Sequence, residues 1–308
     1  MAHPDIKLNN GMDFPPIGFG TYGGPDAPEK VYEGAKVALE AGYRHIDTAF
    51  VYGTEAAVGK AIRESNVAPE EIFIVTKLWQ TFHEPERVRP ACERSLELLD
   101  LKQISQYLMH WPFSWKFTDY SHNHLKPKEG DDVPVTGVPF VETWKAMEQL
   151  VEDGLVKSIG VSNFTIPMLE ELLKNCRIKP VVNQVEIHPL LPQEELLEFC
   201  NKNGIALTAY CPLSNPGKGK GSAINHPTVI EIAEKYKKTP GQVLLNWGMQ
   251  RGYAVIPKSV TPQRIKDNFV QFQMDPEDVE RITDIGRKGQ QVRLCDPAID
   301  FGPSNKIF

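Results

Sequence analysis

Four ionisable side chains lie where short apolar runs break off. "HIDTAFVYGTE" carries Asp47 and, five positions later, Tyr52; "IVTKL" carries Lys77; "YLMHW" carries His110. A carboxylate, a phenol, an ammonium and an imidazole together suit delivering a proton to an oxygen that is becoming negative. A free phenol, with a pKa of about 10, is too weak an acid for neutral pH unaided. A nearby ammonium favours the phenolate and lowers that value. Asp47 would hold the ammonium, and a neutral His110 could donate a hydrogen bond to the substrate oxygen. Each residue also has a plain reading: a helix cap, half-buried packing, a snorkelling strand end, a structural histidine. Their arrival at successive strand ends argues against four separate accidents. The set lacks an electron donor.

The elements that would gather these residues can be read from periodicity. Eight strand-like runs occur, "PPIGFGTY", "HIDTA", "IFIVTKL", "ISQYLMHW", "SIGVSN", "VVNQVEI", "IALTAYCP" and "YAVIPKS". Amphipathic helical stretches separate them: "PEKVYEGAKVALEAG", "TEAAVGKAIRES", "PERVRPACERSLELL", "PFVETWKAMEQLVEDG", "TIPMLEELLKNC", "PQEELLEFCNKNG" and "PGQVLLNWGMQRG". An eighth, "TPQRIKDNFVQF", follows the last strand. Several start at Pro or Thr and stop near Gly, as helix ends do. Eight strand-then-helix units with no linker predict an α/β chain folded as a single (β/α)8 barrel, residues 1–308 forming one domain. A doubly wound sheet would carry G-x-G-x-x-G after its first strand, and "GFGTYGG" fails that pattern. Long connections at 112–139 and 212–226 would emerge at the C-terminal face, where barrel active sites lie. "DPEDVERITDIGR" reads as a charged surface helix. The tail after about residue 288 has little periodicity and would either cross that face or fray.

Composition narrows the function classes. The chain has 308 residues, 41% hydrophobic, with a formal net charge of −6. That balance gives no large basic surface for nucleic acid, though a few local cations could hold a small anion. No window reaches 18 uncharged apolar residues, so no membrane span is expected, and "MAHPDIKLNNGM" lacks the apolar stretch of a signal peptide. Five cysteines, odd in number and scattered, fit a reduced cytoplasmic protein. His122 and His124 in "SHNH" have a spacing some metal sites use but no partner nearby, and no metal site is assigned.

Over nearly its whole length the chain resembles the aldo-keto reductases, most closely their aldose/aldehyde reductase branch. The matching stretches, in order, are "GYRHIDTAFVYGTE", "IVTKLW", "LMHWP", "GLVKSIGVSNF", "NQVEIHPLLPQEELLEFC" and "IPKSVTPQRIKDN". The resemblance implies Asp47, Tyr52, Lys77 and His110 as a catalytic tetrad, with Tyr52 as proton donor and NADPH supplying the hydride. It places Ser162, Asn163 and Gln184 on the nicotinamide carboxamide and Tyr210 against its ring. Leu213 and Ser214 would lie over the pyrophosphate, with Gly20, Thr21, Tyr22, Asp47 and Cys211 also against the cofactor. Around the adenosine 2′-phosphate it places Lys258, Ser259, Val260, Thr261 and Arg264, with Asp267 and Asn268 facing the adenine. Thr261-Pro262 also reads as an N-cap and first turn, whose backbone N–H groups can receive phosphate oxygens.

An aromatic substrate pocket is expected from Tyr22, Trp79, Trp111 and Phe113 beside Tyr52 and His110. Relatives usually carry Trp at the position of Tyr22 and Ser at that of Cys211, and this chain's loop after Ser214 is shorter and glycine-rich. The activity implied is NADPH-dependent reduction of aldehydes, aldoses included, and of ketones. The rival reading is a non-catalytic NADP(H)-binding regulatory or structural relative, which would not need an intact tetrad. A monomer is expected, with a dimer as the alternative.

Overall fold

A computed structural model describes residues 3–23, 27–121, 131–214 and 222–308. The chain starts with an antiparallel hairpin, β1 (Ile6–Lys7) and β2 (Asp13–Phe14), turned at Asn10-Gly11, where Gly11 takes a φ of 86°. Eight short parallel strands follow: β3 (Phe19–Gly20), β4 (His45–Asp47), β5 (Phe73–Leu78), β6 (Gln106–Met109), β7 (Ile159–Ser162), β8 (Val182–Glu186), β9 (Ala206–Tyr210) and β10 (Ala254–Val255). They pair in chain order from β3 to β10. The first and last runs then meet. Gly18 N–H donates to Val255 O at 2.9 Å, Val255 N–H to Pro16 O at 2.9 Å, and Gly20 N–H to Pro257 O at 3.0 Å. The sheet closes into the expected (β/α)8 barrel. Closure needs Gly20: a Cβ there would stand 2.8 Å from Ile256 O.

Outside the barrel run α1 (Ala27–Ala41), α2 (Glu55–Arg63), α3 (Pro85–Leu99), α4 (Phe140–Glu152), α5 (Ile166–Asn175), α6 (Glu194–Asn203), α7 (Pro227–Tyr236), α8 (Pro240–Gln250), α9 (Pro262–Asn268), α10 (Pro276–Lys288) and α11 (Pro297–Asp300). Sequence logic is visible in α3. Pro85 opens the first turn, where no N–H partner is needed. Val88, Ala91, Cys92, Ser95, Leu96 and Leu99 bury one stripe, and Asp100 ends the helix left-handed at φ 54°. Similar stripes press Trp144, Leu169, Leu172, Val229, Ile232 and Trp247 into a continuous layer between helices and sheet. A smaller cluster, Leu8, Phe14, Phe73, Val75, Leu108, Val182 and Ala254, fills the barrel's lower interior beneath the hairpin.

Three of these elements were not anticipated, the hairpin, α7 and the short α11 in the tail. With α7, the segment after the seventh strand carries two helices where one was expected. α10 is the charged helix read from the sequence, with Arg287 bridging Glu194, Glu280 and Asp284. Among the described residues, no helix is long and apolar enough to cross a membrane.

Candidate active site

At the C-terminal ends of the strands, the barrel brings together side chains that the sequence keeps apart. Asp47 ends β4, Lys77 is the penultimate residue of β5, and His110 follows β6 directly. Tyr52 closes a single 3-10 turn, Phe50–Tyr52, that Gly53 stops in the left-handed conformation. Lys77 is fully buried; its Nζ donates to Asp47 Oδ1 at 2.7 Å and to Thr48 O at 2.8 Å. The other oxygen of Asp47 accepts from Gln184 Nε2 at 2.7 Å, so the carboxylate is fixed from two sides. A buried ion pair adds little net stability, because two charges must be desolvated to form it. Its place at the barrel mouth is the mark of a functional site.

The electrostatics keep each group in a defined state. Burial pushes the Lys77 ammonium down from its ordinary range, and Asp47 opposes that shift. Burial, then the charge of Lys77, holds His110 well below the usual imidazole range, so it is neutral at physiological pH. Its Nδ1 is buried without a protein partner. Tyr52 departs from expectation. Lys77 Nζ lies 5.2 Å from its ring centroid, yet burial, reinforced by Asp47, raises the phenol well above 10. Desolvation of a phenolate outweighs the ammonium at rest. The phenol therefore stays protonated at rest. Edge-on contacts aim the rings: Tyr52 to His110 at 5.7 Å, Tyr52 to Tyr22 at 5.1 Å, and His110 to Trp79 at 5.1 Å between centroids.

Beside this group the amides interlock. Asn163, held left-handed at φ 65°, donates from Nδ2 to His110 O at 2.9 Å and to Ser162 Oγ at 3.2 Å. Its Oδ1 accepts from Tyr210 OH at 2.8 Å, and Ser162 Oγ donates to Gln184 O at 2.8 Å. Gln184 therefore faces Asp47 in this structure, where the resemblance had aimed it at a carboxamide. Thr21, also buried, donates to Asp47 O at 2.9 Å. Cys211 and Ser214 are both left-handed, and Leu213 between them is half-buried. Ser214 Oγ is itself buried and accepts Ala223 N–H at 2.7 Å, which ties the two ends of the loop. Residues 215–221 lie outside the described residues, as do His122 and His124.

The residues that the resemblance places around a 2′-phosphate and adenine lie together in the loop after β10 and in α9. Lys258, Val260, Thr261 and Arg264 are exposed, while Ser259, Asp267 and Asn268 are half-buried. Among the described residues, neither Lys258 nor Arg264 has an ion-pair partner, so both cations are available to an anion. Thr261 stands at the N-cap of α9, but its side chain makes no cap bond; its N–H donates instead to Ser259 Oγ at 3.1 Å. Asp267 Oδ1 is held by Gln263 Nε2 at 2.9 Å.

The aromatic wall is larger than the sequence indicated. Trp79, Trp111 and Phe113 are buried as expected, whereas Tyr22 is 61% exposed. Trp115 and Phe301 join them: Phe301 sets its ring edge-on to Trp115 at 5.1 Å, Trp111 at 5.7 Å and Trp79 at 6.1 Å. Phe301 lies in the aperiodic tail, which gave no signal. Trp115, in "WPFSWKF", could have been found from the density of aromatic residues.

The family model for the aldo/keto reductases matches residues 16–287. The chain belongs to that family. It is 44% identical over 309 aligned residues to aldose reductase B of Dictyostelium discoideum, covering 97% of each chain. It is 42% identical to the glycerol 2-dehydrogenase (NADP(+)) of Hypocrea jecorina, with 98% of each covered. Among solved structures, the aldose reductase of Schistosoma japonicum superposes with a TM-score of 0.89 at 40% identity, covering 99% of this chain and 98% of that one.

Proposed function

We propose that this aldo-keto reductase is an NADPH-dependent enzyme that reduces aldehydes, aldoses included, and ketones to alcohols, residues 1–308 acting as one catalytic domain. The observation that carries the reading is the buried Lys77–Asp47 pair beneath Tyr52, with neutral His110 alongside. A structural or regulatory relative would have no use for an ion pair whose burial brings little stability. The names of the relatives support the chemistry, since they include aldose reductases and an NADP(+)-dependent dehydrogenase.

The residues present fit a nicotinamide dinucleotide. Lys258 and Arg264 offer unpaired cations at one rim, and Ser162, Asn163 and Tyr210 present a polar shelf and a ring beside His110. Bound there, NADPH would supply a hydride to a carbonyl carbon. The chain's own groups do the rest. Neutral His110 orients the carbonyl oxygen by hydrogen bond. Tyr52 gives that oxygen its proton, and Lys77, held by Asp47, steadies the phenolate that forms. The aromatic wall excludes water and favours apolar substrates. The five cysteines form no disulfide among the described residues, which suits a reducing, cytoplasmic setting. We take the monomer as the working unit.

The test is loss of NADPH absorbance against a panel of aldoses, aromatic and aliphatic aldehydes and ketones. Turnover of aldehydes is expected. Silence across the whole panel would favour the non-catalytic reading.

A further inference from the structure

Glu186 ends β8 with its side chain fully buried, yet it takes no part in the Asp47, Tyr52, Lys77 and His110 group. Its carboxylate accepts three donors. Oε1 takes Leu294 N–H at 2.7 Å and His188 Nε2 at 2.8 Å, and Oε2 takes Cys295 N–H at 2.8 Å. Two of the three are consecutive backbone amides of the C-terminal tail, more than a hundred residues away in sequence.

Beyond that point the tail crosses the barrel mouth. Asp296 caps α11 through Ala298 N–H, and Phe301 then enters the aromatic wall against Trp79, Trp111 and Trp115. The far end is tied again: Trp115 Nε1 donates to Asn305 Oδ1 at 2.8 Å, and Asn305 Nδ2 donates to Val133 O at 2.9 Å. The segment has two short helical turns of its own, α11 and Pro303–Asn305, and further ties flank the anchor: Val292 N–H donates to Leu190 O at 3.0 Å, Val133 N–H to Phe301 O at 3.0 Å, and Ser304 bonds Asp132. Both attachments are buried, and the Glu186 one gathers three donors on a single carboxylate, the stronger kind of acceptor.

We infer that Glu186 is a positioning residue for substrate selection, anchoring the tail so that Phe301 completes the wall that receives apolar carbonyl compounds. The inference rests on the reductase reading above. The anchor touches none of the reacting groups, so its loss should blur the wall while leaving proton delivery intact.

The experiment compares wild type with Glu186→Ala and the milder, isosteric Glu186→Gln in the full chain. Backbone deuterium exchange is read without substrate, and steady-state kinetics are read with benzaldehyde and with propanal at saturating NADPH. Exchange at residues 292–301 should rise in Glu186→Ala and less in Glu186→Gln, whose single carbonyl oxygen can still accept an amide. KM for benzaldehyde should rise about 10-fold, the scale of one lost aromatic contact, while kcat and the propanal KM stay within about 2-fold. Unchanged tail exchange in both variants would overturn the anchor, as would equal KM increases for both aldehydes. Because exchange needs no turnover, failure of the anchor is distinguishable from failure of the reductase reading, which wild-type kinetics alone decide. If Glu186→Ala does not fold, Glu186→Gln carries the same two readouts.

Discussion

Replacing Glu55 with glutamine would remove a carboxyl that the fold holds in an unfavourable place. Glu55 opens α2 three residues after Tyr52 and is fully buried. Its Oε1 accepts Thr76 Oγ1–H at 2.6 Å. Burial drives its pKa from the ordinary 4.5 to about 7, against the weaker pull of the Thr76 and Ser95 hydroxyls and the Lys77 charge. The sign follows from proton counting. The folded chain keeps this proton up to about pH 7, whereas the unfolded chain releases it near 4.5. Stability therefore falls as pH rises through that window, and the loss is complete above it. At about 1.4 kcal/mol per pH unit, it amounts to on the order of 3 kcal/mol. Glutamine does not titrate, so it escapes this loss, and any packing penalty it brings is independent of pH. Urea unfolding of both proteins at pH 4.5 and pH 8 reads the difference directly. Glu55→Gln should gain on wild type by roughly 2–3 kcal/mol between the two conditions. Parallel pH dependences would refute the reasoning and show that Glu55 is charged in the folded state.

Three further outcomes are expected. Arg264→Met should raise KM for NADPH by roughly 10- to 100-fold and leave NADH nearly unchanged, since one charged partner of a phosphate is lost; steady-state kinetics with both cofactors check it. Trp111→Ala should weaken aromatic aldehydes several-fold more than propanal, because it removes apolar surface worth ~25 cal/mol per Å²; equal losses would make Trp111 purely structural. Burial holds His45 down to about 4 and His83 to about 3. Both stay neutral when folded and take a proton near 6.5 when unfolded, so they should steepen the loss of stability as pH drops below about 6.5. His83→Gln should flatten that acid limb in urea titrations.

The barrel was legible because most of its strands are short runs rich in apolar residues that end in turn chemistry, and most of the helices between them bury one stripe. Asp47, Tyr52, Lys77 and His110 were legible because strand ends sort polar residues to one face. The missed elements lacked those signals. The β1–β2 hairpin has two-residue strands, too short for alternation, although Asn10-Gly11 marks its turn. In α7, Val229, Ile232 and Ala233 form a readable stripe, but a rule of one helix per strand left it no place. The tail is held by Glu186 and Asn305 reaching other segments rather than by a repeat of its own, and such non-local bonds leave no periodic trace. The bond from Gln184 to Asp47 spans 137 residues and is invisible for the same reason. The resting pKa of Tyr52 depends on burial, which only the folded chain defines.

Tyr52→Phe tests the central claim most directly, because it removes one hydroxyl and leaves the ring and its contacts with Tyr22 and His110. NADPH binding, followed by fluorescence titration, should match wild type, while aldehyde turnover should fall by roughly 10²–10⁴-fold, the usual contribution of a positioned general acid. A variant that binds NADPH normally and keeps more than about a tenth of wild-type turnover would contradict the assignment of Tyr52 as the proton donor.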